Sequence, residues 1–342
     1  MTQWLKNCWY AAAWADELGN DDRLARTIVS EPILIWRNRE GEPRAVEDRC
    51  AHRCAPLSKG SIAGDVVRCG YHGVAYDGKT GNCVDNPHGP IVSALAVKPY
   101  PVVERHRILW IWIGNADLVD QAAIPDLSFI DRTPRHAFSK GYMPTKADHR
   151  LLEDNILDLS HGDYLHAETL GGGSFSRAKP RVEEIDDMVQ VTWIARDEKA
   201  IPIWRSELPD PDMLVNMETM VRWHPNGVML LTTDLEPIGR SDRMIKSTAA
   251  HIMTPESAFS THYLYCNSRN YRVDDEKYNA MFTESLAIAF GAEDKPMIEA
   301  QQMRVGESDI FDCSPVMLSI DNASTRARRM YKRLVDAMSG PI

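Results

Sequence analysis

The sequence predicts an α+β fold, with a β-rich first part and a second part in which helices flank a sheet. Three observations support this. Short β-branched and aromatic runs such as Ile28–Trp36 and Ile108–Ile113 alternate with turn-rich stretches before residue 115. A helical pattern of apolar residues extends from about Lys146 to His166. Several strand-like runs follow it, and the C-terminal segments return to helical spacing.

The elements of the second part can be placed along the chain. The strand-like runs are Met188–Ile194, Met213–Trp223, Val228–Leu235, Met244–Met253 and Tyr263–Cys266, and the later helical segments lie around Lys277–Phe290, Pro296–Val305 and Asn322–Met338. The 342 residues are enough for two domains. We predict domains at residues 1–115 and 136–342, joined by an acidic, proline-containing linker at residues 116–135.

Composition excludes several classes of protein. The net charge is −10 and no Lys/Arg block occurs, so no nucleic-acid or anionic-membrane partner is expected. No run of about 18 apolar residues predicts a membrane span. The first ten residues lack the basic and apolar regions of a signal peptide, so a cytoplasmic location is expected.

The cysteines predict a metal site. There are seven, an odd number that argues against a disulfide framework, and four of them fall between positions 50 and 83. Cys50 and His52 form a Cys-x-His pair, and Cys69 and His72 form a Cys-x₂-His pair. This alternation fits a Rieske [2Fe–2S] centre, in which one iron takes both thiolates and the other both imidazoles. Structural zinc with two Cys and two His is the alternative.

Neighbouring residues receive secondary roles. Cys54 and Cys83 are predicted to be buried structural cysteines. Tyr71 lies between two ligands, where its hydroxyl could donate to a cluster sulfur and tune the potential. His88 is expected in a loop that covers the cluster.

A second polar constellation lies on the helical segment. Asn155, Asp158 and His161 are spaced three apart and form one polar line, with His166 five residues further on. The two histidines diverge by roughly 140° on a regular helix, so they can share a metal only where the helix breaks. Gly162 would permit such a break. Two histidines and a carboxylate form the facial triad of non-haem Fe(II) oxygenases, but local spacing does not identify the carboxylate.

With these two motifs the chain resembles the oxygenase components of the Rieske non-haem iron oxygenases, in the vanillate and dicamba O-demethylase group. The similarity extends almost from end to end, through the stretches Asn7–Trp14, Pro101–Gly114, Leu151–His166, His251–Ser257, Ser268–Tyr271 and Glu293–Gln302. It implies a Rieske domain followed by a helix-grip (START-like) catalytic domain with an antiparallel sheet.

The resemblance also implies roles for single residues. Asp294 would be the third ligand of the mononuclear Fe(II); Glu293 and Glu299 are the alternatives if another acid completes the triad. Asp158 would connect His161 to His72 of the next subunit in a head-to-tail homotrimer, and Asn155 lies beside it as a second candidate catalytic residue.

Substrate contacts are predicted at four positions. His251 stands where the family has a substrate-contacting histidine, and Ser285 stands near a substrate-binding position. Leu230 and Thr232 lie in a run of apolar and hydroxyl residues that suits a small aromatic substrate with one polar anchor.

The implied reaction uses O₂ as co-substrate and electrons from an NAD(P)H-dependent ferredoxin and/or flavin reductase. The prediction is hydroxylation that leads to O-demethylation or N-dealkylation of an aromatic compound. Ring hydroxylation, including dioxygenation, is the enzymatic alternative. A Rieske-type electron carrier and a zinc-stabilised binding module are the alternatives from other classes.

Overall fold

The computed structural model describes residues 3–19, 22–167 and 170–338. The first part contains ten strands: β1 (Cys8–Trp14), β2 (Arg23–Ile28), β3 (Glu31–Arg37), β4 (Pro43–Glu47), β5 (Ser61–Ala63), β6 (Val66–Arg68), β7 (Ala75–Asp77), β8 (Cys83–Asp85), β9 (Val102–Arg105) and β10 (Ile108–Ile113). They form three antiparallel sheets with the orders β1-β10-β9, β2-β3-β4 and β5-β6-β7-β8.

The predicted strand run Ile28–Trp36 contains a turn. Val29 and Ser30 have positive φ angles of 46° and 68° and connect β2 to β3 as a two-residue hairpin. Their N–H groups donate to the carbonyls of Pro255 and Glu256, which hold this unusual backbone in place.

The second part is built on a seven-stranded antiparallel sheet with the order β11-β17-β16-β15-β14-β13-β12. Its strands are β11 (Phe138–Thr145), β12 (Arg181–Ile185), β13 (Met188–Lys199), β14 (Leu214–His224), β15 (Val228–Pro237), β16 (Ile245–Ser257) and β17 (Ser260–Arg269). The α-helices among the described residues are α1 (Phe129–Arg132), α2 (His149–Leu157), α3 (Gly162–Leu165), α4 (Ser174–Arg177), α5 (Pro202–Arg205), α6 (Glu276–Ile288), α7 (Lys295–Val305) and α8 (Asn322–Met338). A π-helix at Ala289–Asp294 joins α6 to α7.

Each face of the large sheet buries a separate apolar cluster. One face packs against the helices, including α2, α6 and α8. The other packs against the sheet β1-β10-β9, where Trp9 and Trp110 are fully buried. Ile124, Leu127 and Ile130 of the predicted linker are buried in the same cluster, so this segment is part of the packing between the two sheets.

Helix α2 is fixed at both ends. Asp148 caps its N-terminus by accepting a hydrogen bond from the Arg150 N–H at 2.9 Å. Asp154 forms a bidentate ion pair with buried Arg328 of α8, with a shortest distance of 2.6 Å. Of the described helices, none is long and apolar enough to cross a bilayer.

Candidate metal centres and active-site cavity

The first candidate metal site is formed by two loops that have the same pattern of backbone hydrogen bonds. The N–H of Cys50 donates to the carbonyl of Ala55, and the N–H of Cys69 donates to the carbonyl of Val74, both at 2.9 Å. Each cysteine therefore begins a tight six-residue loop that ends next to its own start. Both thiols are buried, with 2% and 3% of each residue exposed.

The fifth residue of each loop has left-handed backbone. Cys54 has φ 57° and Gly73 has φ 77°, and their N–H groups donate back to the carbonyls of Cys50 and Cys69. The structure corrects the prediction that Cys54 is buried, because it forms the outer turn of its loop and is exposed. Cys83 is buried, as predicted.

The two imidazoles lie together and are more exposed than the thiols. The rings of His52 and His72 are 4.6 Å apart between centroids. The Nδ1 atom of His72 is buried and has no hydrogen-bond partner among the described residues. A buried nitrogen without a partner is costly unless a ligand satisfies it. Two buried thiols and two more exposed imidazoles suit a cluster with one iron bound by the thiolates inside and the other bound by the imidazoles at the surface.

A tyrosine other than the predicted one contacts the cysteine sulfur. Tyr71 is 63% exposed and places its ring 3.9 Å from the His72 ring. Buried Tyr76 accepts a hydrogen bond from the Ala51 N–H, and its hydroxyl lies 3.2 Å from Cys50 Sγ. Tyr76 reaches the Cys50 sulfur from the adjacent strand β7, whereas Tyr71 contacts the Cys69 sulfur through its main-chain N–H at 3.5 Å. His88 donates to the His72 carbonyl at 2.9 Å, consistent with a covering loop.

The second candidate metal site brings together His161, His166 and Asp294. One ligand atom from each lies within 4.8 Å of the others. Asp294 Oδ1 is 3.0 Å from His166 Nε2 and 3.5 Å from His161 Nε2. Asp294 and His166 are buried, while His161 is half-buried.

Hydrogen bonds to the outer nitrogens orient both imidazoles. His161 donates from Nδ1 to the main-chain carbonyl of Asp158 at 2.5 Å, and His166 donates from Nδ1 to Glu293 Oε2 at 2.6 Å. With Nδ1 protonated, both Nε2 atoms present lone pairs towards the Asp294 carboxylate. Lone pairs and an anionic oxygen at these distances suit a cation between them, and the donor set fits Fe(II).

Charge also favours this arrangement around His166. Burial alone would lower the pKa of His166. When the ring is protonated on both nitrogens it donates to Asp294 and to Glu293, and these hydrogen bonds and the two negative charges raise the pKa above its ordinary value. The two carboxylates thus stabilise positive charge at this position, whether a proton or a metal ion supplies it.

Two irregular helices make this convergence possible. Helix α2 ends at Asp158, which has extended backbone with φ −130° and ψ 94°. The break therefore precedes both histidines, whereas the sequence suggested Gly162, which has ordinary helical angles. Asp294 is the last residue of the π-helix, a form that often marks functional sites.

The candidate catalytic residues Asn155 and Asp158 contact this site in different ways. Asn155 Nδ2 donates to Asp294 Oδ1 at 3.2 Å. Asp158 reaches His161 through its main-chain carbonyl, while its carboxylate accepts from the Ser160 N–H at 3.0 Å. Within this chain the Asp158 carboxylate is thus the cap of the next helical turn.

A largely apolar cavity opens onto the three ligand-type residues. Its lining residues include Ile156, Leu159, Leu170, Phe175, Ile201, Ile203, Trp204, Thr219, Leu231, Thr233, Ser247, Ala249, His251, Asn267, Phe282, Leu286 and Phe290. His251 accepts a 2.5 Å hydrogen bond at Nδ1 from the Tyr263 hydroxyl. Burial lowers the pKa of His251 to about 4, so its ring is neutral at pH 7.

The structure places three of the four predicted substrate residues elsewhere. His251 lines the cavity, but Leu230 and Thr232 do not; Leu231 and Thr233 line it instead. Side chains alternate along a strand, so an error of one residue selects the opposite face. Ser285 lines a neighbouring surface pocket and donates to the Met281 carbonyl.

The sequence interpretation missed two residues of the site and the role of a third, Glu293, which it named only as an alternative ligand. Glu293 holds a ligand-type histidine, Tyr76 contacts a cysteine sulfur, and Asn267 lines the cavity. Glu293 directly precedes Asp294, which was the one available signal. Asn267 carried no signal, because its role depends on which strands are neighbours.

Two family models match the sequence. The Rieske [2Fe-2S] domain matches residues 8–101, and the vanillate O-demethylase oxygenase C-terminal domain matches residues 145–337. These matches contain both candidate metal sites.

Characterised relatives match over nearly their whole lengths. The chain is 33% identical to the oxygenase component of chloroacetanilide N-alkylformylase from Rhizorhabdus wittichii, covering 98% of this chain and 97% of that protein. It is 34% identical to the oxygenase component of dicamba O-demethylase from Stenotrophomonas maltophilia, covering 96% and 97%. The crystal structure of dicamba monooxygenase bound to 3,6-dichlorosalicylic acid superposes with a TM-score of 0.89 at 32% identity, covering 99% of this chain and 100% of that one.

Proposed function

Because the chain belongs to the Rieske non-haem iron oxygenases, in the vanillate and dicamba O-demethylase group, we propose that it dealkylates an aromatic ether or an N-alkyl aromatic amide. It is the oxygenase component of a multicomponent monooxygenase, and its cofactors are a Rieske [2Fe–2S] cluster and a non-haem iron. The observation that carries the proposed reaction is the His161, His166 and Asp294 group facing an apolar cavity.

The proposal assigns the cluster to Cys50, Cys69, His52 and His72. It is supported by the matched cysteine loops, the paired imidazoles and the unpartnered His72 Nδ1. When bound, the cluster supplies electrons one at a time and the mononuclear iron supplies activation of O₂.

The residues around the mononuclear site hold the ligands and exclude water. Glu293 and the Asp158 carbonyl fix the tautomers of the two histidines, and Asn155 orients the Asp294 carboxylate. The apolar lining places the alkyl group of a substrate next to the ligand-type residues and keeps bulk water away.

The net chemistry is balanced by O₂, two electrons and two protons. One oxygen atom enters a C–H bond of the alkyl group, and the other leaves as water. The hemiacetal or hemiaminal so formed collapses by breaking its carbon–oxygen or carbon–nitrogen bond. An aldehyde leaves, and the phenol or amide retains the proton.

Electrons come from a separate partner, as the names of multicomponent relatives indicate. We propose a ferredoxin and/or flavin reductase that uses NAD(P)H. We also propose a head-to-tail homotrimer in which the Asp158 carboxylate approaches His72 of the next subunit. The surface position of Tyr71 and His52 supports a docking role for this edge of the cluster.

A cytoplasmic location is part of the proposal. The cysteines of the described residues are all free, which is the state that a reducing compartment maintains.

The test is turnover of a panel of aryl alkyl ethers and N-alkyl anilides with a surrogate reductase. We expect an aldehyde in a 1:1 ratio with the dealkylated product. Under ¹⁸O₂, a phenol released by cleavage of its alkyl carbon–oxygen bond should contain no label. Label on a ring carbon would instead establish ring hydroxylation and overturn the dealkylation proposal.

A further inference from the structure

A row of uncharged polar side chains crosses the sheet at one end of the cavity. Thr219, Thr233 and Ser247 occupy directly opposed positions on β14, β15 and β16, and all three line the cavity. The hydroxyl oxygens of Thr219 and Thr233 are 3.1 Å apart. Asn267 of β17 extends the row by donating from Nδ2 to Ser247 Oγ at 2.9 Å.

Asn267 has hydrogen-bonding capacity that the protein leaves unused. Its side-chain oxygen is buried and has no partner among the described residues. Leaving a buried carboxamide half satisfied is unfavourable unless a bound molecule completes it. Ser247 can alternatively donate to this oxygen if the amide turns by 180°, which presents the NH₂ group instead. In either orientation Asn267 offers a hydrogen bond without a charge.

The rest of the cavity also lacks a charge that could bind an anion. The described residues that line it include no lysine and no arginine. Its carboxylate, Asp294, is surrounded by the two ligand-type histidines and by Asn155. His251 uses only its Nδ1 atom in the hydrogen bond with the Tyr263 hydroxyl, and its neutral ring brings no positive charge to the cavity. A buried carboxylate without a cationic partner pays a large desolvation cost.

The register of the sheet sets the distance between the polar row and the iron side of the cavity. His251 lies on the iron side, since its ring is 5.4 Å from that of Phe290, which shares the π-helix with Asp294. Asn267 pairs with Ala249, two residues from His251 along β16. Two residues of strand span about 7 Å, which is close to the length of one aromatic ring with its substituent bonds.

We propose that Asn267 and the adjacent hydroxyls bind an uncharged amide, carbonyl or hydroxyl group of a neutral aromatic substrate. The alkyl group to be removed lies about one ring away. The enzyme therefore selects against substrates that carry a carboxylate at this position. This inference rests on the proposed dealkylation and specifies its substrate class.

The test compares 2-, 3- and 4-methoxybenzamide with the corresponding methoxybenzoates, which have nearly the same shape but carry a negative charge. Binding to the holoenzyme is measured by calorimetry, and formaldehyde is measured with the surrogate reductase. We expect at least one amide to bind about tenfold or more tightly than its carboxylate partner. Equal or tighter binding of the carboxylates, or no measurable binding of any amide, would overturn the inference.

Variants locate the effect. Asn267→Leu should weaken amide binding about tenfold, and Ser247→Ala should weaken it by a smaller factor. Thr248→Val is the matched control, because Thr248 is the next residue on β16 and does not line the cavity. Visible spectra and thermal melting verify folding, and Ser247→Ala serves as the test if Asn267→Leu does not fold. Unchanged binding in a folded variant of this pair would remove the row from the substrate site.

The two proposals fail in different ways. Tight binding and demethylation of a methoxybenzoate would preserve the dealkylation function and overturn the neutral-substrate inference. Selective binding of amides without aldehyde from any substrate would overturn the function and leave the selectivity of the cavity in place.

Discussion

At the level of single residues, the mononuclear site is centred on Asp294 Oδ1. His166 Nε2, Asn155 Nδ2 and His161 Nε2 lie 3.0, 3.2 and 3.5 Å from this oxygen. The Asp294 carboxylate and the two imidazole nitrogens beside it are the three donors of a facial triad. Asn155 then holds the carboxylate in the orientation that the two histidines require.

Removal of this carboxylate should empty one metal site and spare the other. We expect Asp294→Ala to lose the mononuclear iron and all turnover while retaining the cluster's visible spectrum and reducibility. The physical reason is that the cluster ligands belong to a separate apolar core. Iron and acid-labile sulfide analysis measures the result. Retained iron and activity would show that Glu293 or Glu299 supplies the ligand.

Glu293 should tune the affinity of the same site for iron. Its carboxylate accepts the 2.6 Å hydrogen bond from His166 Nδ1, and such outer partners typically contribute 10–100-fold (about 1.4–2.7 kcal/mol) to metal affinity. We expect Glu293→Gln to weaken Fe(II) binding within that range, as measured by competition with a chelator. Glu284→Gln, an exposed charge removal on α6, is the control and should bind iron normally.

Tyr76 should raise the reduction potential of the cluster. Its hydroxyl accepts from the Ala51 N–H and lies 3.2 Å from Cys50 Sγ, so its proton can point at the sulfur. A hydrogen bond to sulfur stabilises the reduced, more negative cluster. We expect Tyr76→Phe to lower the potential by on the order of tens of millivolts, as measured by redox titration. Tyr71→Phe should change it less, because Tyr71 is 63% exposed.

At the level of elements, the helices and strands with a regular apolar pattern were predicted correctly from the sequence, and the irregular elements were not. The run Asn322–Met338 was predicted as a helix and coincides with α8, and Val228–Leu235 lies within β15. These elements owe their form to repeating apolar positions, which the sequence displays directly.

The irregular elements depend on tertiary contacts. Helix α2 stops at Asp158, because its carboxylate caps the next turn and its carbonyl accepts from His161. The break was predicted at Gly162 because glycine is flexible. The helix in fact ends at Asp158, where hydrogen bonds of its carboxylate and carbonyl stabilise the break. The π-helix at Ala289–Asp294 likewise follows from packing, and its residues carry no periodic signal of their own.

The candidate site was predictable only in part. The Cys-x-His and Cys-x₂-His motifs and the two further histidines could be identified because ligand types at short spacing are rare. The cavity lining could not, since it depends on which face of each strand meets the helices. Thr232 and Thr233 illustrate this. Neighbouring side chains of a strand point to opposite faces of the sheet, so only Thr233 lines the cavity.

The second cysteine loop packs closely against Gly60, which leads to a testable prediction. A Cβ atom added to Gly60 would overlap the carbonyl oxygen of Arg68 and lie 3.0 Å from the Gly70 nitrogen. We expect Gly60→Ala to displace the second loop, lower cluster content and reduce the melting temperature. Gly41→Ala is the control, since no atom of the described residues lies within 4 Å of a Cβ placed there and only its left-handed backbone adds about 1–2 kcal/mol. Full cluster content in Gly60→Ala would show that the loops can separate without consequence.

At the level of the whole molecule, the first part is joined firmly to the large sheet. Thr254 donates to the Ala11 carbonyl at 2.8 Å, and Asn226 donates to the Trp9 carbonyl at 2.9 Å. Both bonds are buried beside a continuous apolar cluster. The position of the sheet β1-β10-β9 relative to the large sheet is therefore set by packing, which disfavours a large hinge movement between these two sheets.

This rigidity makes the proposed trimer testable through mixed assemblies. His72→Ala should damage the cluster and spare the mononuclear site, and Asp294→Ala should do the reverse. Each variant alone should be inactive. If electrons cross between subunits, co-expressed chains should regain part of the activity, because some interfaces place an intact cluster next to an intact mononuclear site. Differently tagged chains allow the mixed trimers to be purified before the assay.

Adding Asp158→Asn to the His72→Ala chain tests the path itself. That chain supplies the working mononuclear iron, so the bridging carboxylate must come from it, and the rescue should disappear. Asp158→Asn keeps the main-chain carbonyl that holds His161, and Asn is also a good helix cap, so iron content should be retained. The same substitution in the Asp294→Ala chain is the control and should leave the rescue intact. Verified mixed trimers without any rescue would place electron transfer within one chain and remove the bridging role from Asp158.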